Sequence, residues 1–243
     1  MPHGLMTNYS LLVGAGVVLS AVTWWRLLRR GRTGEPYLWA VYLAGLAGAL
    51  AGAKLAFFFA EGWAYRDQWQ ALLTGKSITG ALLGGYGAVE LVKWGLGMRR
   101  ATGDLFAFAV PIGVSLGRVG CLLQGCCLGI LCEPAWWTMR GPDGLTRWPA
   151  AAVELGFNGL FLFWAVIASV RGWQVNQRFH IYLIAYGLFR FGHEFARDTI
   201  RLAGPLSGYQ IVALALVGLG SVRYLQRRRS MPPPAWGPAS DRS

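Results

Sequence analysis

Seven apolar stretches follow one another along this chain: Tyr9 to Trp25, Tyr37 to Ala60, Ile78 to Met98, Leu105 to Gln124, Ala150 to Val170, His180 to Phe195 and Tyr209 to Tyr224. Most approach the roughly 20 residues that a helix needs to cross a bilayer. With 54% hydrophobic and only 14% charged residues spread over all of them, the chain reads as an all-α integral membrane protein with seven transmembrane helices. The first stretch has no basic residue before it and no small-residue cleavage site after it, so it reads as a retained helix rather than a signal peptide.

The net charge of +12 would suit a nucleic-acid binder, but the basic residues sit in short clusters at the ends of apolar stretches, where a topology signal places them. No nucleic-acid partner is expected. Arg26, Arg29, Arg30 and Arg32 follow the first stretch, Arg99 and Arg100 the third, and Arg171 and Arg178 the fifth; Arg223, Arg227, Arg228, Arg229 and Arg242 end or follow the last. All of these fall on one side. By the positive-inside rule the N-terminus is then outside and the C-terminus cytoplasmic.

Residues 1–229 are expected to form a single transmembrane domain with two external segments, 61–77 and 125–149, the second a small segment between helices 4 and 5. Trp63, Tyr65 and Trp69 in the first, and Trp136, Trp137 and Trp148 in the second, suit an aromatic belt at headgroup level. The proline-rich end, residues 230–243, has too little apolar content to fold and is read as a disordered cytoplasmic tail. Gly48 and Gly52, and Gly80 and Gly84, are small-xxx-small pairs that let helices approach closely. Gly84, Gly85 and Gly87 together are denser than packing needs, which points to a loosened helix or a surface for lipid.

The charges inside the apolar stretches carry the functional reading. Arg118 lies near the end of the fourth stretch, within Gly117-Arg118-Val119-Gly120, and an unpaired guanidinium in hydrocarbon costs about 2.5 to 3.5 kcal/mol or more. It must meet an anion or water. At a rise of about 1.5 Å per residue, Arg118, Glu154, Arg190, Glu194 and Lys54 fall into one layer in the outer half of the membrane. Arg190, Glu194 and Arg197 are spaced i, i+4, i+7 and share a helix face, with His193 beside them. Pairing of Arg118 with Glu154 and of Arg190 with Glu194 is the plain structural account. It leaves Lys54, Arg118, Arg190 and Arg197 against two acids, a surplus of two cations. Such a surplus suits a phosphate, and the phosphate that reaches this depth belongs to an anionic phospholipid. Glu90 and Lys93 lie deeper and read as a self-satisfied i, i+3 pair.

All four cysteines, Cys121, Cys126, Cys127 and Cys132, fall in one short stretch spaced C-x4-C-C-x4-C. The spacing lacks the C-x2-C pairs of a zinc ribbon or a thioredoxin-like motif, so neither a metal nor any other cofactor is expected. One or two disulfides stapling the external segment, joining Cys126 or Cys127 to Cys132 or Cys121, and packing as small apolar residues are the two readings that remain.

Taken together these residues resemble the prolipoprotein diacylglyceryl transferase family. Gly117-Arg118-Val119-Gly120 followed by Gln124-Gly125 and Gly129 is similar to that family's Gly-Arg-x-Gly-Asn-x-x-Asn-Gly-Glu signature, and Gly84-Gly85 to its His-Gly-Gly. Arg147, Pro149 and Glu154 match its Arg-His-Pro-Ser-Gln-x-x-Glu. Tyr186-Gly187-Leu188-Phe189-Arg190 with Glu194 and Arg197 matches its Tyr-Gly-x-Phe-Arg-x-x-x-Glu-x-x-Arg. Ser207 to Gln210 also fits.

The resemblance implies a bacterial inner (plasma) membrane enzyme that moves the diacylglyceryl group of phosphatidylglycerol onto the thiol of a prolipoprotein lipobox, releasing glycerol phosphate. It implies Arg118 and Arg190 as the catalytic pair, supported by Glu154, Glu194 and Arg197; Gly84, Gly85, Gly117, Gly120 and Gln124 from the matched motifs, and Lys54 and His193 from the charge layer, are read as binding substrate as well. The chain departs from the pattern at Leu83, Cys121, Gln124, Cys126, Ile130, Trp148, Ala150 and Ala151. The lipid-phosphate half is kept and the acceptor half altered, with His193 or Glu154 left as substitutes for the missing histidine base. The readings from other classes are a non-catalytic phospholipid-binding or lipid-moving protein and, behind it, a thiol-redox membrane protein.

Overall fold

The computed structural model describes residues 3–30 and 37–230. Eight α-helices occur among them: α1 (His3–Arg30), α2 (Tyr37–Ala60), α3 (Trp69–Thr74), α4 (Ile78–Gly95), α5 (Gly103–Gln124), α6 (Ala150–Val170), α7 (Arg178–His193) and α8 (Gly208–Ser230). Two short antiparallel hairpins complete the order, β1 (Met139–Arg140) with β2 (Thr146–Arg147) and β3 (Arg201–Ala203) with β4 (Leu206–Ser207). The expected tail beyond Ser230 and the link carrying Arg32 lie outside the described residues.

Among the described residues five helices are long and apolar enough to cross a membrane, with spans at Ser10–Arg29, Tyr37–Ala60, Gly103–Gln124, Ala150–Val170 and Gly208–Arg229. The chain is therefore an all-helical membrane protein. The two other stretches read as spans from sequence form α4 and α7, which are shorter and more polar. The first carries Glu90 and Lys93, and the second has 16 residues including Arg178, His180, Arg190 and His193.

α2 and α6 begin and end where the apolar stretches do, whereas α4 stops at Gly95 rather than Met98. The cause is Gly97, whose φ of 64° is left-handed. Around it the Gly97 amide donates to Trp94 and the Met98 amide to Lys93, a paired stop that satisfies the last carbonyls of the helix.

Helices α2 and α4 press together through the glycines expected to do so. A methyl at Gly52 or Gly84 would run into the backbone of the facing helix, at Gly80 and Gly84 in one case and at Gly48 and Gly52 in the other. α1 lies along α5, α7 along α8, and α5 also meets α6. Between them sits an aromatic core in which Trp24 packs on Phe106 (4.8 Å between centroids), Phe106 on Phe179 (5.8 Å) and Phe161 on Tyr182 (4.7 Å). Face-to-edge and tilted rings of this kind gain something beyond the area they bury.

Arg178, counted with the loop arginines from sequence, is buried instead. Its guanidinium meets Asp104 at 2.7 Å and donates to the carbonyls of Trp173 and Ala168, tying the start of α7 to the start of α5. The Glu90–Lys93 pair forms at 3.1 Å as expected, and Glu90 also receives Arg223 of α8 at 3.3 Å.

In the segments read as external, Trp63, Trp69 and Trp136 stand exposed. The segment after α5 is woven into the molecule: Gly129 donates to Trp148, Trp148 to Ile130, and Ile130 to Ala196. It thus binds both the strand leading into α6 and the 3-10 turn Glu194–Ala196 that ends α7.

Candidate functional site

The ends of α5, α6 and α7 converge on one ion network. Arg118 (α5) reaches the Glu154 carboxylate (α6) at 2.9 Å, and Arg190 (α7) approaches the other oxygen of the same carboxylate at 3.8 Å. Arg190 also meets Glu194, one helical turn on, at 2.7 Å, and Arg197 lies 3.8 Å from Glu194. Glu154 and Glu194 have no exposed surface, and each arginine of the pair is 8% exposed. Buried ions of this kind persist only when paired and hydrogen-bonded.

Neutral groups finish the framework. The Tyr186 hydroxyl donates to Glu154 at 2.7 Å, and the Ser207 hydroxyl donates to Glu194 at 3.3 Å. Tyr182 donates to Asn158 at 2.8 Å, and the Asn158 amide in turn donates to the Glu154 carbonyl. Gln210 accepts from the Ser207 amide and donates to the Phe191 carbonyl, holding α8 against the end of α7. Tyr186 was matched in the sequence without being given a role. Its signal is the period: Tyr182, Tyr186, Arg190 and Glu194 recur every four residues along one face.

The network opens on a cavity of about 730 Å³. Val17, Leu46, Phe106 and Val110 contribute to its apolar wall, and Arg118, Arg190 and Arg197 line it as cations. Nη1 of Arg190 and Nη1 of Arg197 are buried without a hydrogen-bond partner, as is Nε of Arg118. An apolar pocket with a few convergent donors is what a lipid headgroup with its chains requires. Glu61, just past α2, also lines the cavity; burial pushes its carboxyl above the ordinary value, although Ile200 and Tyr209 donate to it.

The remaining sequence candidates divide. Gly117 and Gly85 line the cavity, Gly120 is buried inside α5, and Gly84 serves the contact with α2 in a helix that is continuous rather than loosened. Gln124 ends α5 with its side-chain amide oxygen Oε1 buried and unpartnered.

Lys54 departs from the expected layer. Its ammonium donates to the carbonyls of Leu72 (2.7 Å) and Leu73, capping α3, because a long flexible stem can carry its head away from the depth of its own Cα. Without it the paired network holds three guanidinium groups, Arg118, Arg190 and Arg197, against two carboxylates, Glu154 and Glu194. The surplus within this network is one cation, not two.

His193 is also committed elsewhere. Its Nε2 accepts from the Trp148 indole at 3.0 Å while its ring stacks on Phe189 at 5.0 Å between centroids. Trp148, standing where the family pattern has histidine, thereby occupies the lone pair a base would need. Arg147 of β2 pairs with Asp143 in the turn of the β1–β2 hairpin at 2.7 Å, and that hydrogen bond holds the exposed Asp143 carboxyl below its ordinary value.

All four cysteines are free thiols. Sγ of Cys121, Cys126 and Cys127 lie within 4.8 Å of one another, with Cys121 and Cys127 3.6 Å apart. Nη1 of Arg118 stands 3.8 Å from the Cys121 sulfur.

Comparison with known sequences agrees with this arrangement. The phosphatidylglycerol–prolipoprotein diacylglyceryl transferase of Azospirillum brasilense is 30% identical, over 91% of this chain and 90% of its own length. The corresponding enzyme of Nitratidesulfovibrio vulgaris is 29% identical over 90% of this chain and 86% of its own, and transferase 2 of Clostridium perfringens is 26% identical over 89% of both. A family profile described as prolipoprotein diacylglyceryl transferase matches residues 4–225, which takes in every helix gathered around the ion network, and the chain belongs to that family.

Proposed function

We propose that this protein transfers the diacylglyceryl group of phosphatidylglycerol to the cysteine thiol of a prolipoprotein lipobox, with Arg118 and Arg190 holding the lipid phosphate. The observation that carries the assignment of roles is that two arginines from different helices, bridged by one buried carboxylate, line the same largely apolar cavity with donors left unpartnered. In the reaction the acceptor thiolate attacks a glyceryl carbon, the carbon–oxygen bond to phosphate breaks, and glycerol phosphate leaves with the electron pair. Charge develops on the phosphate as it departs. Guanidinium groups fixed in a dry site stabilise that charge without having to reorganise, a contribution of several kcal/mol in comparable oxyanion sites. Glu154 and Glu194 are positioning residues that hold the two forks in place. Arg197, Gly85 and Gly117 complete the walls.

The cavity opens within a single transmembrane domain, residues 1–229, in the inner membrane. α4 and α7 complete a count of seven spans, with the N-terminus outside, the C-terminus cytoplasmic and the lipid site in the outer half. The distribution of arginines at helix ends supports this orientation. Incubation with labelled phosphatidylglycerol and a lipobox peptide tests the reading: label on the peptide sulfur supports it, and label remaining wholly in lipid contradicts it.

A second reading, a protein that holds the lipid without transferring it, is favoured by one observation. Both positions at which the family pattern has a histidine are apolar or aromatic, Leu83 and Trp148, and His193 is engaged by Trp148.

A further inference from the structure

The C-x4-C-C spacing conceals a compact thiol cluster that the end of α5 creates. Gly125 takes a left-handed φ of 64°, its amide donates to Leu122, and the Cys126 amide donates back to the Cys121 carbonyl. In a helix stop of this type the side chain five residues before the second donor is brought against that donor's own. Here those two side chains are Cys121 and Cys126. Cys127, itself left-handed at φ 58°, then turns its sulfur back to 3.6 Å from Cys121.

Three sulfurs all within 4.8 Å of one another, with one pair at 3.6 Å, are close enough to share a single metal ion after small side-chain adjustments. With zinc–sulfur bonds of about 2.3 Å, tetrahedral geometry sets neighbouring sulfurs about 3.8 Å apart. Cys121 and Cys127 also line the lipid cavity, so a fourth coordination position on that side would face it. The Arg118 guanidinium, 3.8 Å from Cys121, opposes the single net negative charge that three thiolates and a divalent ion would carry.

We propose that Cys121, Cys126 and Cys127 bind a zinc ion whose fourth position takes the acceptor cysteine as its thiolate, supplying the activation that a histidine base would otherwise provide. The inference rests on the transferase reading for its acceptor, and on the sulfur geometry for its metal. A zinc-coordinated thiol loses its proton outright. The acceptor thiol releases that proton to water on binding; its sulfur lone pair then forms the bond to the glyceryl carbon, and the carbon–oxygen bond to phosphate breaks with its electron pair on oxygen. The metal keeps its three cysteinate ligands and its oxidation state. The thioether formed is a weaker ligand than a thiolate and leaves the fourth position.

The full chain, purified in detergent with its thiols reduced, is dialysed and its zinc counted, and cobalt is then used as a coloured substitute. Close to one metal per chain is expected, with thiolate-to-cobalt charge transfer and the visible bands of a tetrahedral site. Cys121→Ser and Cys127→Ser should each weaken binding by about a hundredfold or more, beyond the losses caused by changing a group that only orients a ligand. Cys132→Ser, outside the cluster, should leave it unchanged. A lipobox peptide should shift the cobalt bands, and the same peptide with serine for cysteine should not. Failure of the reduced chain to retain metal, retention that ignores Cys121 and Cys127, or bands indifferent to the peptide would each overturn the proposal. Full transfer by metal-stripped protein would also overturn it while leaving the transferase reading intact. A peptide-responsive metal without any transfer would uphold the site and count against that reading.

Discussion

The Glu154 carboxylate on α6 stands 2.9 Å from the Arg118 guanidinium on α5, and the acid has no exposed surface. One carboxylate oxygen serves Arg118 and Tyr186, and the other faces Arg190. The acid therefore sets the spacing of the two arginines that line the cavity. Its removal would leave two buried cations opposed to each other rather than to a common partner.

Glu154→Gln should destabilise the protein by about 3 kcal/mol or more, the range seen when one member of a buried ion pair is neutralised. Thermal unfolding in a single detergent checks this. Tyr186→Phe, which removes one donor and keeps the charge pairs, should cost about 1 kcal/mol. Equal losses in the two variants would mean that the acid is held by its hydrogen bonds and not by the arginines.

Gly52→Leu should separate α2 from α4 and lower stability by about 1 to 3 kcal/mol, as overpacking of a close contact does. Gly87→Leu, at a position on the same α4 where an added methyl meets nothing within 4 Å, should stay close to wild type. Comparable unfolding temperatures for the two variants would contradict the packing account.

Much of the fold could be read from apolar length alone. α2 and α6 match their stretches because the flanking residues change sharply in polarity, whereas α4 and α7 carry charges inside them, Glu90 and Lys93 pairing within α4 and Arg178 and Arg190 of α7 reaching Asp104 and Glu154 on other helices. The meeting of Arg118, Glu154, Arg190 and Glu194 at one level was legible, since rise per residue is fixed, but the direction in which each side chain leaves its helix was not. Lys54 shows the consequence: its depth suited the layer, yet its ammonium caps α3. Arg178 shows the reverse, a residue placed in a loop by its position next to a turn and drawn into the protein by Asp104. The thiol cluster was hidden because a left-handed residue after a helix brings together side chains whose spacing matches no familiar ligand pattern.

Reporter tags at the two ends test the orientation. An N-terminal tag should be accessible from outside the cell and a C-terminal tag only after the membrane is opened, as the arginine distribution requires. A cytoplasmic N-terminal tag would place the lipid site on the inner leaflet side and reverse the depth assigned to Arg118.

Arg118→Lys should recover little activity. A single ammonium keeps the charge toward Glu154 but cannot make two parallel hydrogen bonds to a phosphate, so turnover should remain about tenfold or more below wild type. Full activity with lysine would show that charge alone suffices.

The most direct test of the account is the split between turnover and lipid binding in Arg118→Gln, measured by transfer to a lipobox peptide and by phosphatidylglycerol affinity in the same preparation. Stabilisation of charge that appears as phosphate leaves predicts a fall in kcat of about a hundredfold or more with a much smaller loss of affinity. A loss confined to affinity, with kcat unchanged, would contradict it and identify the arginine site as a lipid holder.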